Sequence, residues 1–311
     1  MCKMDLISNK IRAAMNLYGY KTKTVSIKHL PEVQEAVKKL VKQGLIAEQL
    51  SEKWHFYLKS NKDFPEATTI IIIAIPQSVT RLYFSWEGSV YPAEVSPNYF
   101  YTSDELKAEE VLHNVLGNSG YKISKARLAL KTLAVRSGLA KYGKNNLAYV
   151  PGMGSFCQLV AFYTDAPFEE YSWLEAVEME TCKKCTLCLE NCPTKSIIAD
   201  RFLIRAEKCL DFLNEVEPHI PYWVKYQPDW LNAFIGCMAC QFICPENKPY
   251  LKRILNGSSF SEEETIMILN KTPWEQLVME TKKKLEDLSG IYPLMTQNLG
   301  ALIEKQKKMI Y

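Results

Sequence analysis

The sequence predicts three successive parts: an α/β domain, a cysteine-rich domain and a short helical segment. Three observations predict this. Residues Ile70-Ile71-Ile72-Ile73-Ala74-Ile75 are apolar on both parities and β-branched at all but one position, the mark of a strand buried on both faces. Eight of the ten cysteines fall between Cys182 and Cys244, so they act as a group. Between the two features the composition shifts. No Lys or Arg occurs from Asn146 to Thr181, while Asp165, Glu169, Glu170, Glu175, Glu178 and Glu180 accumulate. The expected divisions are 1–177, 178–255 and 256–311, and 311 residues suffice for two modest cores.

In chain order, residues 1–60 read as helices with polar connections. Ile11, Met15, Leu17 and Tyr18 carry helical spacing, and Pro31 suits a first turn ahead of Val33, Ala36, Val37, Leu40 and Val41. The isoleucine strand follows Pro65. A helix-rich stretch runs from about Ser103 to Ser137, interrupted near Gly117–Gly120. Glycines return at 138–146 and 151–155, and Phe156–Thr164 reads as a strand. After Pro249 the chain reads as helical. Thr272-Pro273-Trp274-Glu275 has the form of a capping box opening a helix to about Leu288, stopped by Ser289-Gly290; a last helix spans about Thr296–Met309.

The bulk numbers exclude some classes. A formal net charge of +3 announces no strong polyanion field. The longest apolar run ends at Pro76, far short of the roughly 20 residues a membrane helix needs. The first residues, MCKMDLISNKIR, carry charge where a signal peptide needs its apolar core, so a cytoplasmic location and no membrane are expected.

The chemistry lies in the cysteines. Cys182-x2-Cys185-x2-Cys188-x3-Cys192-Pro193 is the bacterial ferredoxin run, in which three thiolates wrap one cubane and the fourth, before proline, ligates the other. Cys237-x2-Cys240-x3-Cys244-Pro245 repeats its end, with Cys209 supplying the missing first ligand. The expected sets are therefore Cys182, Cys185, Cys188 and Cys244 for one [4Fe–4S] cluster, and Cys192, Cys209, Cys237 and Cys240 for the other. A disulfide knot conflicts with a reducing compartment, and zinc sites rarely use this run. Cys2 and Cys157 read as incidental.

Residues 1–177 show no phosphate loop, since Gly152-Met153-Gly154 lacks the third glycine of a dinucleotide fingerprint. His29, His55, His113 and His219 have no metal-ligand spacing. The stretch from Leu133 to Asn146, with Arg136-Ser137-Gly138-Leu139 and Tyr142-Gly143-Lys144-Asn145, resembles the Arg-Ala-Gly-Leu-Gly-Trp-Ile-Gly-Lys-Asn segment of epoxyqueuosine reductases. Gly154-Ser155-Phe156, Asp63-Phe64-Pro65-Glu66-Ala67, Cys209-Leu210-Asp211 and Ile235-Gly236-Cys237 resemble further segments of that family in the same order.

The resemblance implies a nitroreductase-like α/β first domain, a ferredoxin-like double-cluster domain, and cobalamin beside the clusters, as in the related reductive dehalogenases. It assigns Gly138, Leu139, Gly143, Lys144, Asn145, Gly154 and Ser155 to the organic cofactor. It also implies a ferredoxin or flavodoxin as electron donor. The family's proton-donating Asp falls on Ser124, and the long helical tail shrinks to about 60 residues. Tyr99, Tyr101 and Tyr121 are alternative proton donors. The expected function is an iron–sulfur reductase passing electrons through a corrinoid to a substrate the sequence does not name. The rivals are an electron carrier or activator for a partner corrinoid or flavin protein, and an epoxyqueuosine reductase acting on tRNA, with Lys282-Lys283-Lys284, Lys305, Lys307 and Lys308 as phosphate contacts.

Overall fold

In the computed structural model, which describes residues 3–47, 50, 64–97, 102–168, 172–215 and 228–310, the isoleucine run forms the second strand of an antiparallel sheet. The chain divides into two compact units, and the division does not follow chain order. One comprises Met1–Gln77, Tyr101–Thr186 and Asp200–Leu203; the other comprises Ser78–Phe100, Leu187–Ala199 and Ile204–Tyr311. Each therefore draws on segments from both sides of the expected boundary at residue 177.

The sheet of the first unit has strands β1 (Lys21–Ser26), β2 (Thr69–Pro76), β5 (Ile123–Ala126) and β8 (Cys157–Thr164), ordered β1-β2-β8-β5 with every pairing antiparallel. Side chains alternate across a strand, so the isoleucines divide by parity. Ile71, Ile73 and Ile75 pack with Ile11, Met15, Leu112 and Leu116 from the helices Lys3–Asn16 and Thr102–Gly117. Ile70, Ile72 and Ala74 pack with Val33, Leu133 and Val135 from the helices Leu30–Lys42 and Leu130–Arg136. Helices on both faces explain why every residue from Ile70 to Ile75 is fully buried. β1 and β5 interrupt stretches expected to be helical.

The second unit holds a hairpin, β3 (Thr80–Trp86) and β4 (Ser89–Val95), turning on Glu87-Gly88 with both φ values positive. Such a two-residue turn suits the strand twist. The late strand β9 (Leu255–Phe260) pairs parallel to β3 with a register shift after Arg81. Gly257 sits at the shift, where a Cβ would come within 2.8 Å of Leu82 and Thr80. Phe84 stacks on Phe260 at 4.7 Å and tilts against Phe234 at 5.0 Å. Ile268, Leu288, Met295 and Leu299 complete this core, so the C-terminal segment belongs to it.

The capping box lies elsewhere than expected. Ser261 and Glu264 form it reciprocally at the start of the helix Glu262–Leu269. Pro273 instead precedes a single 3-10 turn, Trp274–Gln276, and only Met279–Lys284 is α-helical before a second 3-10 run, Glu286–Ile291. The final helix, Tyr292–Ile310, starts a turn earlier than expected.

Candidate metal centre

Both cysteine groups build the same local structure. Cys188 lies in the short helix Leu187–Asn191, with Cys192 and Pro193 directly after it. Cys240 lies in the short helix Ala239–Phe242, followed by Cys244 and Pro245. Cys244 is extended (φ −70°, ψ 123°), as the residue before proline should be. Asn191 Nδ2 donates to the Ala239 carbonyl at 2.7 Å, joining the two short helices. Asn247, fully buried, donates to the Gln241 carbonyl at 3.0 Å and closes the second loop. No disulfide joins cysteines 182, 185, 188, 192, 209, 237, 240 and 244. Cys182 and Cys185 lie in the first unit and the other six in the second.

In the second unit Cys192, Cys209 and Cys237 share one electrostatic environment. Burial, then the negative charges of Asp211 and Cys237, push the Cys209 thiol up to about 12. Burial likewise pushes Cys237 up to about 11, against a hydrogen bond from Asn232 Nδ2 at 3.2 Å, with Asp211 and Cys192 adding to the rise. Burial also opposes ionisation of Cys192. There the hydroxyl of Ser196 at 3.3 Å, backbone amides and the Thr194 hydroxyl outweigh it and hold the thiol below its usual range. Thiols raised as Cys209 and Cys237 are resist ionisation unless a metal supplies the positive charge, which is the chemistry of a cluster site. Asn232, Ser196 and Thr194 are set to donate to thiolate sulfur. Among the described residues no three His, Cys, Asp or Glu converge as a single-ion site. A cubane does not require that, because its four thiolates meet four different irons.

The residues assigned to an organic cofactor lie between Gly138 and Ser155 in the first unit. Gly138 ends the helix Leu130–Arg136 at φ 73°. A small hairpin follows, β6 (Lys141–Tyr142) and β7 (Ala148–Tyr149), with Gly143, Lys144, Asn145 and Asn146 in its loop. Asn145 is buried, donates to the Tyr149 hydroxyl at 3.0 Å and accepts from the Leu147 amide. Lys131 Nζ donates to the carbonyl and Oδ1 of Asn146, at 3.0 and 3.2 Å, and so fixes a residue at φ 60°. Leu139 is buried in the core, and Gly154 (φ 62°) and Ser155 end the segment, also buried.

The hairpin grips the chain leading to the first cysteines. The Tyr142 amide donates to Val177 and the Met179 amide to Tyr142, while Lys144 Nζ donates to the Cys185 carbonyl at 2.9 Å. Sequence reasoning missed Lys131, Asn232, Ser196 and Asp211 in this setting, since no spacing rule marks them. Ser124 is half-buried on β5 opposite Tyr163. Tyr121 packs on the core that holds Ile71, and Tyr99 and Tyr101 lie outside the described residues.

The C-terminal lysines are mostly committed inside the second unit. Lys282 donates to the Glu275 carbonyl, Lys284 pairs with Glu264 at 2.6 Å, Lys305 donates to the Asp229 and Leu231 carbonyls, and Lys307 pairs with Glu87 at 2.6 Å. The N-terminal cations differ. Residues 1–47 carry nine Lys and Arg against three Asp and Glu, in a chain of net charge +3, so they hold the excess. Lys23, Lys28, Lys38, Lys39 and Lys42 are exposed and make no ion pair among the described residues. Lys21, beside them on β1, reaches the Pro151 carbonyl at 2.5 Å.

Comparison with known proteins gives this geometry a context. Residues 181–247 match the family described as a 4Fe-4S double cluster binding domain. The epoxyqueuosine reductase of Cyclobacterium marinum is 32% identical over 162 residues, covering 51% of this chain and 48% of that protein. The epoxyqueuosine reductase of Staphylococcus aureus is 30% identical over 121 residues, covering 39% of this chain and 30% of that one. The chain thus spans half or less of these two relatives. A solved epoxyqueuosine reductase, crystallised with a tRNA-Tyr epoxyqueuosine-modified stem loop, superposes with a TM-score of 0.67 over 96% of this chain and 81% of that one. It is 17% identical, a likeness of fold.

Proposed function

We propose that this chain, which resembles the epoxyqueuosine reductases in sequence and fold, is an iron–sulfur oxidoreductase with a corrinoid in a nitroreductase-like first unit. Its substrate would be an oxidised nucleoside of tRNA, of the kind its relatives are named for. The expected ligand sets are Cys182, Cys185, Cys188 and Cys244, and Cys192, Cys209, Cys237 and Cys240. One observation carries the reading: the hairpin that includes Gly143, Lys144 and Asn145 is hydrogen-bonded to the segment bearing Cys182 and Cys185. Residues assigned to an organic redox centre and residues assigned to a cluster therefore form one piece of structure.

When bound, a corrinoid supplies low-potential cobalt chemistry. The chain's own part is to hold it and to feed it. Two one-electron clusters together store the two electrons that removing one oxygen atom requires. Asn145 and Asn146, buried and hydrogen-bonded to Tyr149, Leu147 and Lys131, hold the shape of the loop assigned to the corrinoid. The unpaired lysines of β1 and the helix Leu30–Lys42 suit RNA phosphates better than the committed C-terminal ones do.

Anaerobic purification with iron and cobalt analysis, cobalamin dialysis and an epoxyqueuosine-tRNA turnover assay test this. About eight irons, bound cobalamin and turnover are expected. Absence of cobalamin binding in either oxidation state overturns the corrinoid, and cobalamin binding without turnover overturns the tRNA substrate. Ser124 favours a second reading, because a serine hydroxyl is a poor acid near neutral pH. On that reading the chain carries electrons from a ferredoxin or flavodoxin to a partner corrinoid or flavin protein, and the purified protein holds clusters alone.

A further inference from the structure

The two cysteine groups are equivalent by spacing, so Cys185 corresponds to Cys237: each opens a Cys-x2-Cys-x3-Cys-Pro run. Their backbones meet opposite charges. The carbonyl of Cys185 accepts from the Lys144 ammonium at 2.9 Å. The amide of Cys237 donates to the Asp211 carboxylate at 3.0 Å. Lys144 stands on a rigid base, since Gly143 donates to Leu147 and Asn146 to Gly143, both at 2.8 Å, and Lys131 ties Asn146. Asp211 opens the helix Leu210–Glu215, and its charge also acts on Cys209.

We propose that Lys144 and Asp211 are positioning residues that make the two clusters electrically unequal. On this inference, the cluster ligated by Cys185 is the easier to reduce and the cluster ligated by Cys237 is the harder. The inference rests on the reading that these cysteines hold two [4Fe–4S] clusters. Its physics is direct. Reduction adds one negative charge to a cluster, a fixed cation favours that charge and a fixed anion opposes it, and cluster potentials follow net charge and hydrogen bonding. Lys144 and Asp211 are both partly buried, so solvent screens them less than surface charges. An electron entering at either cluster then settles on the one beside the hairpin. This gives Lys144 a role different from the cofactor contact that the family resemblance implies for it.

The test is a redox titration of the anaerobically reconstituted full chain, followed by electron paramagnetic resonance, with iron content measured throughout. Wild type should show two separate midpoint potentials. Lys144→Met should lower the higher one and leave the other in place, while Lys144→Arg, which keeps the charge, should restore it. Asp211→Asn, which still accepts from the Cys237 amide, should raise the lower one alone. Equal potentials in wild type, or an unmoved potential in both charge-removing variants at full iron content, overturn the proposal and leave the clusters standing. If Lys144→Met loses half its iron, Asp211→Asn alone decides: a raised lower potential upholds the inequality and an unchanged one overturns it. Wild type without iron or signal defeats the cluster reading itself.

Discussion

Replacing Gly143 by alanine puts a methyl group into space the hairpin has already filled. An added Cβ would overlap the Tyr149 ring and lie 2.6 Å from Asn145 Oδ1. Neither neighbour can swing away cheaply. Tyr149 is 5% exposed with its hydroxyl held by Asn145, and Asn145 is 3% exposed with its oxygen held by the Leu147 amide. Forcing a methyl into such a site costs about 1–3 kcal/mol. Breaking the Asn145–Tyr149 hydrogen bond while both groups stay buried adds about 1–3 kcal/mol. A total of about 2–6 kcal/mol is a large share of the roughly 5–15 kcal/mol that a native protein has to lose. Urea denaturation followed by circular dichroism measures it. Gly117→Ala is the control, since a Cβ there meets nothing within 4 Å. If Gly143→Ala unfolds within about 0.5 kcal/mol of wild type, the site relaxes freely and the argument for a rigid hairpin is refuted.

Crossed ligation makes Cys192→Ala and Cys244→Ala damage opposite sites: each should cut iron from about eight to about four per chain, and the two variants should retain different paramagnetic signals. Burial works against the Glu264 carboxylate, but Lys284, the Ser261 amide and the Thr281 hydroxyl outweigh it and hold its pKa below the usual value. Its stabilisation is present above the unfolded pKa of about 4.3 and is lost as pH falls through the lower folded value. Wild type should therefore lose stability in acid more steeply than Glu264→Gln, and matching urea midpoints from pH 7 to pH 3 would remove Glu264 from the account. Reversing Lys23, Lys38 and Lys42 to Glu should weaken tRNA binding and flatten its dependence on log salt by about 2–3 units, at up to about 0.9 per phosphate contact. Reversal of Lys282, already bound to the Glu275 carbonyl, should leave that slope unchanged.

Which parts of this molecule were legible in advance follows from how far apart the deciding residues lie. The run at Ile70–Ile75 identifies its own strand, because burial on both faces needs only apolar residues at both parities. The cysteines declare themselves for the same reason, since each loop around an iron core is short. β1 was hidden because Lys21-Thr22-Lys23-Thr24 reads as polar connection, and an edge strand tolerates lysine. β9 was hidden because its partner β3 lies more than 170 residues earlier, and Leu-Asn-Gly-Ser-Ser carries no alternation. The Glu87-Gly88 turn did leave a local signal, a glycine in a two-residue loop between β-branched and aromatic residues. The site divides along the same line. Spacing identifies Cys185 and Cys237 as equivalents, and it makes their clusters look alike. What distinguishes them is Lys144, 41 residues before one, and Asp211, 26 residues before the other. Ligand identity is thus written locally, whereas the electrostatics that would order the two clusters depend on contacts that only the folded chain makes.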